Sequence, residues 1–471
     1  MTNKNKNNSA NKRVEMITNN PKRAIRTMSW PVMIVMLIMI GYSIIDSIWV
    51  AGLGISALAA LGFITPIYSI IIGIGQGIGS GTTSILARSI GEKDKSKASN
   101  AGIHSLIITI IVSIIITILL LLFLKDILVL MGASNLLDLA MRYGITIFSG
   151  SFIFLLGVVG SSILRAEGDM KRGTYILAIS SIINMILDPI FIYTLNMGIT
   201  GAAVATLLSS SISAIVIFYW ILIKGDTYIK LKLKEFKFKL AIVKDILIVS
   251  LPVSLEEVMM SASAIGINAI LAYTASATAV AVYTAGWRII TLGVIPALGI
   301  ETATLTVAGI AYGAKNYKNL EISSNYGIKL GVAMGAVLTV FVFIFAPAIV
   351  SLFTYTSNTA NLTNSLIEFL RITAICFIAV PFGLVSTAIF QGAGKGLTTL
   401  ILNATRDVIL IIVFAYLLGL LFNFGEMGVY FGITIGLITG SIINYLYFKV
   451  FLRRLKRNSE NDGEINSEAI N

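Results

Sequence analysis

Long apolar runs separated by short polar stretches fill nearly the whole chain. The first, Trp30 to Val50, reads WPVMIVMLIMIGYSIIDSIWV, with a proline at its entrance and one carboxylate, Asp46, well inside. About twenty apolar residues carry an α-helix across the hydrocarbon core of a bilayer. A short turn, Gly52 to Ser56, leads to a second run through Pro66 and the glycine-rich GIGQGIGSG, and others follow at about 101–124, 136–163, 174–194 and 200–223. A polar stretch, KGDTYIKLKLKEFKFKLAIVK from Lys224 to Lys244, then divides the chain near its middle. Six more runs lie at about 246–272, 277–308, 324–351, 364–390, 398–421 and 428–451. The pattern predicts an all-α polytopic membrane protein with twelve transmembrane helices. A β-barrel would show alternating apolar and polar residues instead.

This division gives a basic tail at 1–27, a six-helix lobe at 28–224, a linker at 225–244, a second six-helix lobe at 245–452 and a tail at 453–471. Composition agrees with it. The chain is 56% hydrophobic and 12% charged, against about 25% charged in soluble domains. Its net charge of +12 sits in tails and alternate loops, which is the positive-inside pattern and not a nucleic-acid surface. Both termini are therefore expected in the cytoplasm, with the chain spanning the cell (inner) membrane. The Asn- and Lys-rich first residues read as a mostly disordered tail, with helix near the membrane surface as the alternative. The full-length apolar run after them argues against a cleaved signal peptide. The central linker alternates basic and apolar residues from Lys230 to Leu240, as a solvated connector or a segment lying on anionic headgroups would. Cys376 is the lone cysteine, so no intrachain disulfide forms.

The chain also resembles itself across the linker. TTSILARSIGEKDKSK, from Thr82, aligns with TLTVAGIAYGAKNYKN, from Thr304, at a shift of 222 residues, placing Gly91 over Gly313 and Lys93 over Lys315. Pro31 meets Pro252, Gly168 meets Gly394 and Gly201 meets Gly428. Two six-helix repeats of like orientation around a central cavity suit a carrier better than a channel.

These residues resemble the multidrug and toxic compound extrusion (MATE) transporters over roughly residues 25 to 450. The resemblance is carried by Pro31 with IIDSIWVAGLG, by LARSIGEKD and its partner VAGIAYGAKN, by LRAEGD, and by NMILDPIF followed by GITGAAVAT. It implies a V-shaped, two-lobe secondary antiporter that exports amphiphilic, often cationic compounds in exchange for Na+ or H+. The chain is most similar to the DinF-like branch, whose acidic N-lobe site matches Asp46, Asn184, Asp188 and Thr206. Those four would hold the coupling ion, Na+ or H+, with no other cofactor. The chain is not expected to be an enzyme. It would work as a monomer whose partners are small amphiphilic substrates and the bilayer.

The residue types fit that chemistry. An aspartate inside a span costs roughly 2.5–3.5 kcal/mol on insertion scales, so its default reading is functional. Asn184 and Asp188 lie four apart on one helical face, and Pro189 removes a backbone donor, which frees the carbonyl of Met185. Hard oxygen ligands of this kind suit alkali cations. Two carboxylates brought close do not both stay ionised without a cation, so a proton serves as well. The plain alternative is that Asp188 caps a helix end while Asp46 bonds a serine. Pro31 is the expected hinge. Tyr42, one turn from Asp46, and Met36 and Met39 suit loose recognition of varied amphiphiles, although methionines in spans also serve as packing.

The second half has no copy of the Asn-x-x-x-Asp pair. It carries Glu256, Glu257, Arg288 and Glu301 as a candidate second site, with Glu257 and Arg288 expected to form a buried pair. Arg406 and Asp407, as neighbours in sequence, are expected to face different directions, and Glu368 and Arg371 to pair along one helix. His104 is expected at a boundary or in packing. No Walker motif, dinucleotide fingerprint or His/Cys cluster is present. The alternative reading within the superfamily is a flippase for lipid-linked glycans, and outside it a channel or membrane scaffold.

Overall fold

The computed structural model describes residues 3–274, 277–354 and 362–468, so the outermost two residues of the first tail and three of the last lie outside the described residues. Among the described residues every regular element is helical. In chain order these are α1 (Asn3–Asn19), α2 (Pro21–Ala51), α3 (Ile55–Gly91), α4 (Lys95–Leu130), α5 (Leu137–Ser149), α6 (Ser151–Ala166), α7 (Met170–Pro189) and α8 (Gly198–Phe218). Then come α9 (Leu240–Thr274), α10 (Ala277–Gly313), α11 (Tyr317–Ser351), α12 (Thr363–Thr373), α13 (Cys376–Gly392), α14 (Gly396–Ala404), α15 (Ile411–Tyr416) and α16 (Gly425–Glu468). Ten helices are long and apolar enough to cross a membrane, and two bent pairs, α5 with α6 and α12 with α13, bring the number to twelve. This is a multi-pass membrane protein.

The chain forms two compact units. Unit 1 holds Met1–Asn19 and Trp30–Leu255, and unit 2 holds Asn20–Ser29 and Glu256–Asn471. Within each, apolar side chains pack between helices. Unit 1 centres on Ile64, Ile71, Phe148 and Leu155, and unit 2 on Leu271, Phe369, Phe377 and Tyr430.

The internal repeat is written into the backbone. Left-handed residues recur in pairs: Lys93 with Lys315 (φ 60° and 52°), Gly168 with Gly394 (82° and 76°), Asn196 with Asn423 (53° and 55°), and Gly198 with Gly425 (58° and 58°). Asp94 caps α4 by accepting from the Lys97 N–H, and Asn316 caps α11 by accepting from the Asn319 N–H. The α5–α6 bend is 45° and the α12–α13 bend 47°. A π-helical turn at Ile190–Thr194 has its counterpart at Leu417–Leu421. Turns, caps and bends depend on local backbone chemistry, so they keep their form where the side chains around them have diverged.

The first tail differs from its expected disorder. Although α1 is polar, Ala10 and Ile17 are buried, and Arg13 reaches Glu167 at 3.3 Å and Asp169 at 3.2 Å. Contacts with a distant loop, invisible to local composition, hold it helical. The linker is mostly irregular, with a single short 3₁₀ turn at Leu233–Glu235, and α9 has begun by Leu240. It is fastened to α4. Asn100 donates to the Lys237 carbonyl (2.8 Å) and accepts from its N–H (3.3 Å). His104 accepts from the Lys239 N–H at 3.0 Å through Nε2, while Nδ1 lies 2.8 Å from the Asn100 carbonyl. Those partners put the ring proton on Nδ1. The rings of Phe236 and Phe238 lie against the imidazole, so His104 has the boundary packing role expected of it.

Candidate functional site

Three helices of unit 1 meet around two carboxyls. Asp46 lies near the end of α2, Asn184 and Asp188 in the last turns of α7, and Thr206 in α8. Tyr193, in the π turn after α7, donates to the Trp49 carbonyl at 2.5 Å, and the two rings meet edge to face. This contact ties the end of α2 to α7 and so sets Asp46 opposite Asp188. Where α8 passes the π turn, a Cβ at Gly201 would lie 2.6 Å from the Phe191 carbonyl oxygen, so only glycine allows that approach.

Asn184, Asp188 and Thr206 are buried, and Asp46 is partly exposed. Asn184 Nδ2 donates to Asp188 Oδ1 at 3.1 Å and to Thr206 Oγ1 at 3.4 Å, while the Thr206 hydroxyl donates to the Ala202 carbonyl at 2.9 Å. The Asp46 and Asp188 carboxyls face one another within hydrogen-bonding reach. Two buried acceptors, Asn184 Oδ1 and Asp188 Oδ2, have no donor among the described residues. Buried polar atoms are normally satisfied. Two partnerless oxygens beside a pair of facing carboxyls are what a small cation or a proton would complete.

All four residues named from the sequence are therefore together. Tyr42 is beside them, and two further tyrosines are as well: Tyr68 of α3 and Tyr143 of α5, both close enough to feel the Asp46 charge. Sequence reasoning missed these two, because a tyrosine in an apolar run carries no local sign of what it faces. Met36 is partly buried and Met39 exposed along α2, and Pro31 is buried inside that helix, where it cannot donate to the carbonyl of Thr27.

Unit 2 holds a second polar cluster. Asn403 Nδ2 donates to Glu256 at 3.0 Å, and the Arg406 guanidinium grips Asp407 through Nε (2.7 Å) and Nη2 (2.8 Å). Glu301 lies within electrostatic reach of Glu256, Arg406 and Asp407. Three expectations change here. Glu257 and Arg288 are both exposed and form no ion pair among the described residues, so they are not a buried pair. Arg406 and Asp407 pair with each other despite their adjacency, since Thr405–Leu410 winds as a π-helix and the long arginine stem folds back. Arg371 leaves Glu368 for the Phe343 carbonyl at 3.3 Å and the face of the Phe343 ring, a cation–π contact comparable in worth to an exposed ion pair.

The family model MatE matches residues 31–190 and 252–417, more than half of the chain. The chain belongs to the MatE family. A crystal structure of MATE in the bent conformation superposes on this MatE chain with a TM-score of 0.91 and 38% identity, covering 95% of this chain and 99% of that one. The Staphylococcus aureus multidrug export protein MepA is 23% identical over 391 residues, 83% of this chain and 85% of MepA. A Shewanella oneidensis FAD transporter is 31% identical over 207 residues, covering 43% of this chain and less than half, 46%, of that transporter. This MatE chain is thus a membrane transporter and not an enzyme.

Proposed function

We propose that this MatE chain is a secondary antiporter that exports small amphiphilic compounds in exchange for Na+ or H+. Asp46, Asn184, Asp188 and Thr206 bind the coupling ion. The observation that carries the reading is the pair of partnerless buried oxygens beside the facing Asp46 and Asp188 carboxyls. An entering cation or proton relieves the repulsion between those carboxyls and draws α2 toward α7. Pro31, with no N–H to lock its turn, is where α2 bends in response, and a related MATE structure described as bent supports that role. Tyr42, Met36 and Met39 line the side of α2 that contacts substrate. Substrate and ion then compete through the position of α2, since a ligand shifts an equilibrium only by its differential affinity for the two states. The positive-inside pattern supports cytoplasmic termini in the cell membrane.

The test is efflux of a cationic dye from proteoliposomes under an imposed Na+ or pH gradient. Asp46→Asn and Asp188→Asn should each lower gradient-driven efflux by about 10²-fold, the loss of roughly 3 kcal/mol of ion-binding energy. Undiminished coupling in both variants would remove the site assignment. A second reading, a larger flavin-like substrate, is favoured by the FAD transporter relative. Efflux of FAD but not of the dye in the same vesicles would establish it.

A further inference from the structure

In unit 2, α11 and α16 enclose a hollow of about 450 Å³. Its lining includes Lys449, Arg453 and Lys456 of α16, together with Tyr445 and, from α11, Glu321. Lys449, Arg453 and Lys456 follow at intervals of four and three residues, so they project from one face of the helix. Two of these cations are engaged: Lys456 with Glu321 at 2.6 Å, and Lys449 with Asn325 at 3.1 Å and the ring of Tyr445. Arg453 is exposed and has no ion pair or hydrogen bond among the described residues. Three cations against one carboxylate leave the hollow net positive.

The apolar surroundings identify the occupant. Ile442, Leu446 and Val450 are exposed and spaced four apart, forming a stripe along the apolar part of α16 that runs into the hollow, where Leu446 and Val450 belong to its wall. The apolar run ends at Phe451 and Leu452, and Arg453 follows. A cationic hollow at the end of an apolar stripe, where a spanning helix leaves the membrane, matches a molecule with an anionic head and hydrocarbon chains. A free phosphate has no use for the stripe. We propose that this hollow seats the headgroup phosphate of an anionic phospholipid, held by Arg453 and Lys449, with its acyl chains along Ile442, Leu446 and Val450.

Native mass spectrometry of the full chain in detergent, titrated with phosphatidylglycerol and phosphatidylcholine, tests this. Phosphatidylglycerol should bind in preference, and Lys449→Gln with Arg453→Gln should weaken it about 10–30-fold. Arg453→Gln alone, at an exposed residue whose loss leaves folding intact, should weaken it about 5-fold and keeps the test valid if the double variant folds poorly. Arg454→Gln with Arg457→Gln removes equal charge from the same helix end outside the hollow and should leave affinity nearly unchanged. Equal losses in the two pairs would reduce the effect to general surface charge and overturn the seat. Displacement of the lipid by millimolar inorganic phosphate would make the occupant a free anion and overturn the lipid assignment.

Discussion

The two units share a scaffold and exchange their chemistry. At the repeat's shifts of 221 and 227 residues, Asp46, Asn184, Asp188 and Thr206 correspond to Ile267, Ile411, Ala415 and Ile433. All four counterparts are buried members of unit 2's apolar core. In the other direction, at shifts of 221, 222 and 227 residues, Glu256, Glu301 and Arg406 of unit 2 correspond to the uncharged Val35, Gly79 and Ile179 of unit 1. Neither unit repeats the other's charged groups at the matching positions, and unit 2 has filled with hydrocarbon the places of unit 1's four site residues. The clusters also differ in charge balance. Unit 2 carries its own cation, Arg406, among three carboxylates, whereas the facing acids of unit 1 have no cationic side chain bonded to them among the described residues. A cluster that supplies its own cation can serve structure. One that lacks a cation must find it in solution, and that makes unit 1 the candidate for ion coupling.

The strongest way to break this contrast is to force the acid of one unit into the other. Ala415→Asp sets a carboxylate among Ile267, Ile411 and Ile433 with no donor and no cation. An uncompensated buried charge costs about 3–5 kcal/mol or more, so this variant should fail to accumulate as a monodisperse protein in detergent. Asp188→Ala removes a carboxylate already lacking a donor at Oδ2 and should yield folded protein that has lost coupling. If Ala415→Asp purified with the wild-type melting profile, the two positions would be equally tolerant and the contrast would fail.

Arg406→Met sharpens the charge argument. It removes the bidentate partner of Asp407 and a positive group near Glu256 and Glu301. Breaking such a pair costs about 3 kcal/mol, read as a lowered apparent melting temperature. The altered cluster then lacks a cation as unit 1 does, so added Na+ should recover part of the loss by mass action. A melting temperature unchanged by the substitution would mean that Arg406 does not balance the cluster.

Residues whose environment is costly were legible in the sequence. Asp46 and Asp188 stand out because an acid in an apolar run needs a reason, and Asn184 follows on the face of Asp188, whereas Thr206 comes from the family resemblance alone. The turns of the repeat were legible for a related cause, since glycines and cap residues mark backbone conformations that few other residues adopt. Tyr68 and Tyr143 were hidden, because what a tyrosine faces depends on helices that meet only in three dimensions. The Arg406–Asp407 pair was misread because helix-face geometry assumes 3.6 residues per turn, and Thr405–Leu410 does not keep it. The order of α1 lies beyond local composition, because its partner Glu167 lies 154 residues away.

Glu167 supplies the finest contrast between the units, at a turn rather than in a span. In the matching turn of unit 2 the position is Ala393. In unit 1 the fully buried carboxylate joins Arg13 of α1 to the linker by accepting from the Tyr228 and Ile229 N–H groups at 2.7 and 3.2 Å. Burial pushes this carboxyl up to about 7, against the pull of Arg13 and the two N–H groups. A folded-state value above the unfolded one means that the folded chain binds more protons between pH about 4.5 and 7. Stability from this group is therefore greatest at the acid side of that window and falls as pH rises through it, by an amount on the order of 1–3 kcal/mol. Apparent melting temperature measured across pH 5 to 8 should decline in the wild type, and the decline should flatten in Glu167→Gln, which keeps an acceptor for the linker but cannot titrate. A slope that survives this substitution would place the titrating group elsewhere and leave Glu167 as an ordinary partner of Arg13.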